Sequence, residues 1–423
     1  MFSLEQLHRC RPPRQLCCKI LHPPARRELR KFPPPKHPQK MPALAQLLCR
    51  SPWRSGPNRL YVASATRKLP GMRRNPAGTP ESERPEKIAP SDDFSRVTID
   101  RRVSVAPMMD RTDRHCRYVH RLFAPHALLY TEMIVATALV RGDAARLLAH
   151  DDEERPVALQ LGGCDPQELE TAARLGAAAG FAEINLNVGC PSDRVRRGSF
   201  GACLMLRPEL VAECVRRMRQ ATEVPITVKC RIGVDERDDY DFFADFVGRV
   251  AEAGIDALIV HARAAILGGL TPAQNREIPP LKHEYVHRLK REHPTLPVVL
   301  NGGLCAVSEV VGHLARGLDG VMLGRAAYYR PALLAELERT LVDPDWSGPQ
   351  PRQIIEHLVP YARAKLGQGA RLHAITRHLH GLLAGREGAR AWRRFLSDIA
   401  SRPDAPPAAL LSALPLLERE PAA

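Results

Sequence analysis

The sequence predicts an α/β protein, a (β/α)8 TIM barrel with an all-helical domain after it and a disordered tail before it. Three observations carry that expectation. From Val103 onward the chain repeats one phrase, a short apolar run, a polar terminus and a helical segment. The runs are continuously apolar, as expected of strands buried on both faces of a parallel sheet. There are eight of them, the number that closes into a barrel. An open doubly wound sheet is the alternative.

The runs lie at 103–106, 127–130, 157–161, 182–186, 226–230, 257–260, 298–300 and 320–323. Start and stop signals bracket the helices between them. Asp165-Pro166 reads as an N-cap with proline in the first turn, and Gly180 ends that helix. Arg207-Pro208 opens the next, and Gly254 closes the one that begins near Tyr240.

Composition sets the domain limits. The 423 residues carry a net charge of +15, concentrated at the N-terminus. Residues 1–97 hold 20 of the 62 Lys and Arg, 7 of the 47 Asp and Glu, and 16 of the 38 prolines. That stretch has no helical period, and its prolines forbid a sheet interior, so it reads as a disordered basic tail. It lacks the apolar core of a secretory signal. An organelle transit peptide, a start placed upstream of Met41 or Met72, and non-specific contact with a polyanion are its open readings. The barrel is expected over 98–345, a close to neutral block, the helical domain over 346–412 and a short tail over 413–423. No apolar run approaches the ~18 residues of a membrane span. The 11 cysteines show no paired metal-ligand spacing, so neither a metal nor a disulfide scaffold is expected. A reducing compartment follows, with the cytoplasm as the expected location and a monomer as the expected state.

In such a barrel the chemistry lies where the strands end. Here those ends read Pro107-Met108-Met109-Asp110, Thr131-Glu132, Gln160, Asn187, Lys229-Cys230-Arg231, His261-Ala262-Arg263, Asn301-Gly302-Gly303 and Gly324-Arg325. The last two stand where many barrels bind phosphate, with glycines that admit backbone N–H groups to an anion and an arginine to neutralise it. A phosphorylated cofactor follows. Lys229 and Gln160 could then reach its ring, where an ammonium stabilises the negative charge that reduction creates. Taken alone, Lys229 could equally pair with Asp235 or Glu236 at the surface. His261 is either a core histidine satisfied by a carbonyl or a ligand of cofactor phosphate or substrate. Beyond Asn187, Gly189 frees the backbone and Pro191 stiffens it, which presents Cys190 at a strand mouth. A thiol there can donate a proton as well as attack.

The C-terminal segment is basic. Residues 360–400 carry 8 Lys and Arg against 2 Asp and Glu. Ile375, Leu379, Leu382 and Leu383 have helical spacing, as do Trp392, Phe395 and Leu396. Amphipathic helices that display Arg371, Arg377, Arg390, Arg393 and Arg394 suit the phosphate backbone of a folded RNA.

With these residues in place, the chain resembles the tRNA-dihydrouridine synthases, and within them the A subfamily. The matching segments are 105–110, 185–192, 229–233, 261–263, 275–281, 301–303 and Ile375-Thr376-Arg377-His378. The resemblance spans residues 98–400 and leaves the tail uncovered. It implies a flavoenzyme that uses FMN and NADPH to reduce uridine to 5,6-dihydrouridine in the tRNA D-loop, at positions 20 and 20a. It implies FMN binding by Pro107, Met108, Met109, Gln160, Lys229, His261, Asn301, Gly302, Gly303, Gly324 and Arg325. Cys190 becomes the proton donor, and Asn187 and Arg276 become tRNA contacts. Two rivals stay open: a flavin barrel acting on a free pyrimidine, and a tRNA-binding protein without redox chemistry.

Overall fold

The computed structural model describes residues 99–402 and 404–417. The tail expected over 1–97 lies outside the described residues. Eight parallel strands form a closed ring: Val103–Val105, Leu128–Tyr130, Val157–Gly162, Glu183–Val188, Ile226–Arg231, Ala257–His261, Val298–Asn301 and Gly320–Leu323. Each pairs in parallel with the next, and the first pairs with the eighth. A further two-residue strand, Ile134–Val135, lies beside the third. The structure thus has the predicted eight strands and closes them into a barrel. Several run one or two residues further than the apolar runs did. Asn187 therefore stands inside a strand, as Gln160 and Lys229 do, which fixes their direction by the pleat.

Strand residues alternate between two environments. Outward side chains such as Ile184, Leu186, Val228 and Leu258 are fully buried beneath the helices. Inward side chains fill the barrel, and on one side they are apolar, with Leu128, Tyr130, Ile259, Val299 and Met322 in contact. The other side is polar. Glu183, Asn185 and Asn187 of the fourth strand and Thr227 of the fifth point inward with almost no exposure. Near the barrel floor, Glu183 accepts from Arg101 (2.7 and 3.2 Å), the Tyr130 hydroxyl and the Thr227 hydroxyl (2.6 Å). A buried carboxylate is tolerable only with this kind of satisfaction.

The caps form as the sequence signals them. Asp165 accepts from the N–H groups of Gln167 and Glu168 at the start of Pro166–Ala178, and Gly180 follows that helix at φ +84°. Tyr240–Glu252 is capped by Asp239 and followed by Gly254 at φ +90°.

The C-terminal region packs onto the first barrel helix, Arg114–Phe123. Tyr361, from the helix Pro351–Gly367, stacks on Tyr118 at 3.8 Å and hydrogen-bonds His115 at 2.8 Å. The Trp346 indole donates to the Phe123 carbonyl. One expectation is corrected here. Ile375, Leu379, Leu382 and Leu383 are all buried, yet they do not share a helix. The helix is only Leu372–Thr376, and turns continue to Gly388. A Cβ at Gly381 would lie 2.6 Å from the Tyr329 carbonyl oxygen, while Gly385 and Gly388 take φ +78° and +80°. The helical spacing reported burial, and the glycines between those residues set a different backbone. The second pattern does form a helix, Ala389–Ala400, and helical structure continues to Leu417.

Among the described residues no helix is long and apolar enough to cross a membrane. Trp392 is fully buried and donates its indole N–H to the Leu379 carbonyl at 2.7 Å, so it joins the turn region to the last long helix. Trp392→Ala is expected to destabilise the protein by about 3–5 kcal/mol in denaturant unfolding. A loss below about 1 kcal/mol would show that this contact does not hold the region together.

Candidate active site

A cavity of about 1080 Å³ opens at the C-terminal ends of the strands. Pro107, Met108, Met109, Gln160, Asn187, Cys190, Lys229, His261, Arg276, Asn301, Gly302, Gly303, Gly324 and Arg325 all line it. The structure thus brings together every barrel residue to which the sequence analysis gave a role in cofactor binding, proton donation or tRNA contact, while Cys230, Ala262 and Arg263 from the same strand ends do not line the cavity. Arg377, Arg390, Arg393 and Arg394 lie outside its walls.

Cys190 sits just beyond the fourth strand, partly buried, with its thiol 3.5 Å from the Ser192 hydroxyl. Ser192 caps the short helix Asp193–Arg197, which fixes the far end of the loop. Asn187 fixes the near end, because its Oδ1 accepts from the N–H groups of Gly189 (3.1 Å) and Cys190 (3.0 Å). The Asn187 amide donates to Gln160 Oε1 at 2.8 Å, and Gln160 donates to Asn185 Oδ1 at 2.8 Å. Arg231 adds a clamp. Its guanidinium donates to the carbonyls of Gly189, Ala264 and Asn275 at 2.9–3.0 Å, which ties the thiol loop to both parts of the long loop after the sixth strand.

On the neighbouring fifth strand, in register with Asn187, the Lys229 ammonium meets only a neutral amide among the described residues, Asn301 Oδ1 at 3.1 Å. Neither Asp235 nor Glu236 pairs with it. Burial and the neighbouring Arg231 pull its pKa down to about 8. His261 has no hydrogen-bond partner for its imidazole among the described residues. Its pKa lies well below the usual histidine range, first because of burial and then because of Arg231 and Lys229 nearby. It is therefore neutral at physiological pH, able to donate from one ring nitrogen and accept at the other. Gly302 lies against this ring at φ +109°, and a Cβ there would stand 2.5 Å from His261 Cδ2.

The mouth of the cavity is cationic. Arg276 is exposed and unpaired among the described residues, and burial and the neighbouring Arg325 and Arg111 lower its pKa. Its loop is held from below by Asn275, fully buried, whose side chain bonds the Ile266 N–H (2.7 Å) and carbonyl (2.9 Å). Arg325, expected to meet phosphate, pairs with Glu277 at the rim. Arg111 lies 5.0 and 5.2 Å from the ring centroids of Tyr328 and Tyr329 and donates to the Tyr329 hydroxyl.

The C-terminal arginines divide into two kinds. Arg390, Arg393 and Arg394 are exposed on or beside one turn of the last long helix, with no ion pair among the described residues. Arg377 instead donates to the Asp110 carbonyl, which joins the helical region to the first rim loop. His378, next to it, is buried and pairs with Asp113 at 2.9 Å.

Four features escaped the sequence reading. Arg231 was visible only as one of three polar residues at a strand end. Asn275 looked like part of a motif, not the pin of a loop. The inward file Glu183, Asn185 and Asn187 was hidden in a strand that read as apolar, although its period-two polarity was there to be seen. The Arg111 contact with two tyrosines pairs residues more than two hundred positions apart, and nothing local announces it. No group of three or more His, Cys, Asp or Glu side chains able to hold a metal occurs among the described residues.

Comparison with known proteins adds the family. Residues 104–416 match the family described as Dihydrouridine synthase (Dus). A tRNA-dihydrouridine(20/20a) synthase of Xanthomonas axonopodis pv. citri is 55% identical over 305 residues, which cover 72% of this chain and 90% of that relative. One from Yersinia pestis is 50% identical, covering 75% and 91%, and one from Synechocystis sp. is 51% identical, covering 74% and 93%.

Substituting Gly302→Ala should force a side chain into left-handed backbone and into the His261 ring. A stability loss of about 1–3 kcal/mol is expected in denaturant unfolding, with a shifted rim loop. Wild-type stability would show that the loop relaxes freely.

Proposed function

The chain belongs to the dihydrouridine synthase family, and from that premise we propose that it reduces uridine to 5,6-dihydrouridine at positions 20 and 20a of the tRNA D-loop. FMN is the proposed resident cofactor and NADPH the proposed reductant. The observation that supports this most is one cavity holding both a clamped thiol and, on the neighbouring strand, an ammonium without an anionic partner.

The residues present fit FMN. Lys229 offers a cation where reduction of the ring creates negative charge, His261 offers a neutral donor and acceptor, and Gly302 without a Cβ lets that imidazole sit against the rim loop. Asn301, Gly302, Gly303, Gly324 and Arg325 would hold its phosphate, while Pro107, Met108, Met109 and Gln160 would line its ring. When bound and reduced by NADPH, the flavin supplies the hydride for C6 of the uracil.

Cys190 supplies the other half of the reaction. Its Sγ–H gives a proton to C5, which neutralises the enolate-like charge on the base. Lys229, Arg231 and Arg276 are neighbours of this thiol. Asn187 and Arg276 would contact the uridine, which has to leave its stack to enter the cavity; a loop nucleotide does so at low cost. Arg377, Arg390, Arg393 and Arg394 would meet the RNA backbone.

The direct test incubates FMN-loaded protein with unmodified tRNA and NADPH and maps dihydrouridine by position. Product at 20 and 20a is expected, and its absence would overturn the proposal. Cys190→Ala should retain FMN and oxidise NADPH while losing about 10²–10⁴-fold in tRNA reduction; undiminished turnover would reassign the proton donor. The double change Arg393→Ala with Arg394→Ala should weaken tRNA binding and reduce the log–log salt slope by about two. A loss of affinity independent of salt would count against phosphate contacts.

A further inference from the structure

A file of hydrogen bonds crosses the barrel from Glu183 near its floor to the backbone of Cys190, and both ends of the file have fixed polarity. At the floor, the Glu183 carboxylate is fully buried and ion-paired with Arg101 at 2.7 Å. A carboxylate in that state only accepts, so the Thr227 hydroxyl has to donate to it. The Thr227 oxygen is then an acceptor toward Asn185, which must present its Nδ2 (2.9 Å). Asn185 Oδ1 consequently faces Gln160, and Gln160 must present its Nε2. Gln160 Oε1 is left toward Asn187, which donates in turn. At the rim the polarity is set independently, because the N–H groups of Gly189 and Cys190 can only donate and so require Asn187 Oδ1. The two ends demand the same direction, and each side-chain amide between them has one allowed orientation.

We infer that Glu183, through Thr227 and Asn185, sets the orientation of the Gln160 and Asn187 amides and thereby holds the Cys190 loop in place. Thr227 and Asn185 are positioning residues, fully buried and outside the cavity wall. The direction has a chemical consequence. Gln160 and Asn187 each keep one N–H unbonded among the described residues, so this wall offers donors. A ligand edge rich in carbonyl oxygens or bare ring nitrogens suits it, and one that presents amino groups does not.

The inference rests on the proposed reading only where the readout is tRNA reduction. The experiment compares Thr227→Val, Thr227→Ser and Tyr130→Phe. Thr227→Val and Tyr130→Phe each remove one buried donor to Glu183, and only Thr227→Val cuts the file. Three quantities are read: hydrogen exchange of the segment 187–192, the dissociation constant of FMN, and kcat and KM for tRNA. Thr227→Val is expected to exchange this segment roughly tenfold faster, to weaken FMN, and to lower kcat about tenfold or more with KM little changed. Thr227→Ser should restore all three, and Tyr130→Phe should leave exchange of 187–192 at the wild-type rate. Equal behaviour of Thr227→Val and Tyr130→Phe would overturn the inference, since loss of a Glu183 donor would then explain everything. Should Thr227→Val fail to fold, Thr227→Ala is read in the same way. If the wild-type protein takes no FMN and makes no dihydrouridine, the functional reading fails, and the exchange rates still decide the relay.

Discussion

A carboxylate buried inside a barrel leaves its neighbours little freedom. Glu183 has no exposure, and its oxygens take an arginine and two hydroxyls at the barrel floor. With that charge in place, inward positions on the third, fourth and fifth strands cannot be filled with leucine and valine as elsewhere, because the hydroxyl beside it needs a donor of its own. Polar side chains follow one another upward until they reach the rim, where backbone N–H groups close the file. The constraint at the bottom and the loop at the top belong to one arrangement.

The upper ends of the fifth and sixth strands are organised by charge without a counter-charge. Lys229, Arg231, His261 and Arg276 face one cavity, and none of them pairs with a carboxylate among the described residues; the acidic residues of the lining, Asp110, Asp113 and Glu132, follow the first and second strands. Such an arrangement disfavours the charged forms, and this appears in Lys229, pulled down to about 8, and in His261, kept neutral. Both effects diminish when an anion or an electron-rich ring enters. The site is therefore electrostatically prepared for a ligand that brings negative charge.

Much of this was legible in the sequence, and particular residues show why the rest was not. Val298 to Leu300 and Gly320 to Leu323 announced strands because continuous apolar runs between helices have few other uses. Their polar ends were legible for the same reason, since a strand terminus in a barrel has only one rim to face. The run from Ile375 to Leu383 misled because burial and helical periodicity coincide in spacing while Gly381 decides the backbone by a close approach to Tyr329. Arg231 and Asn275 were illegible as pins, since a guanidinium bonding three carbonyls from two loops leaves no trace at any one of them. Glu183 was passed over inside an apolar strand, although the alternation Glu183, Asn185, Asn187 marked one face. Arg377 read as another phosphate contact, and only the folded chain joins it to Asp110.

The three carbonyls held by Arg231 bear on how this rim can vary. They belong to the thiol loop, to the turn after the sixth strand, and to the segment that ends at Arg276. Insertions or deletions in any of these segments would pull on a planar group that cannot stretch, so their lengths are coupled. Chimeras that exchange residues 264–276 between relatives would have to carry the matching 187–192 segment with them. The loops on the far side, around Met109 and Tyr329, share no bond with Arg231 and are joined instead to each other through Arg111, so they exchange as a second unit. Recombination of this barrel thus has a natural seam, and it runs between the two loops the arginine joins and the rest of the rim.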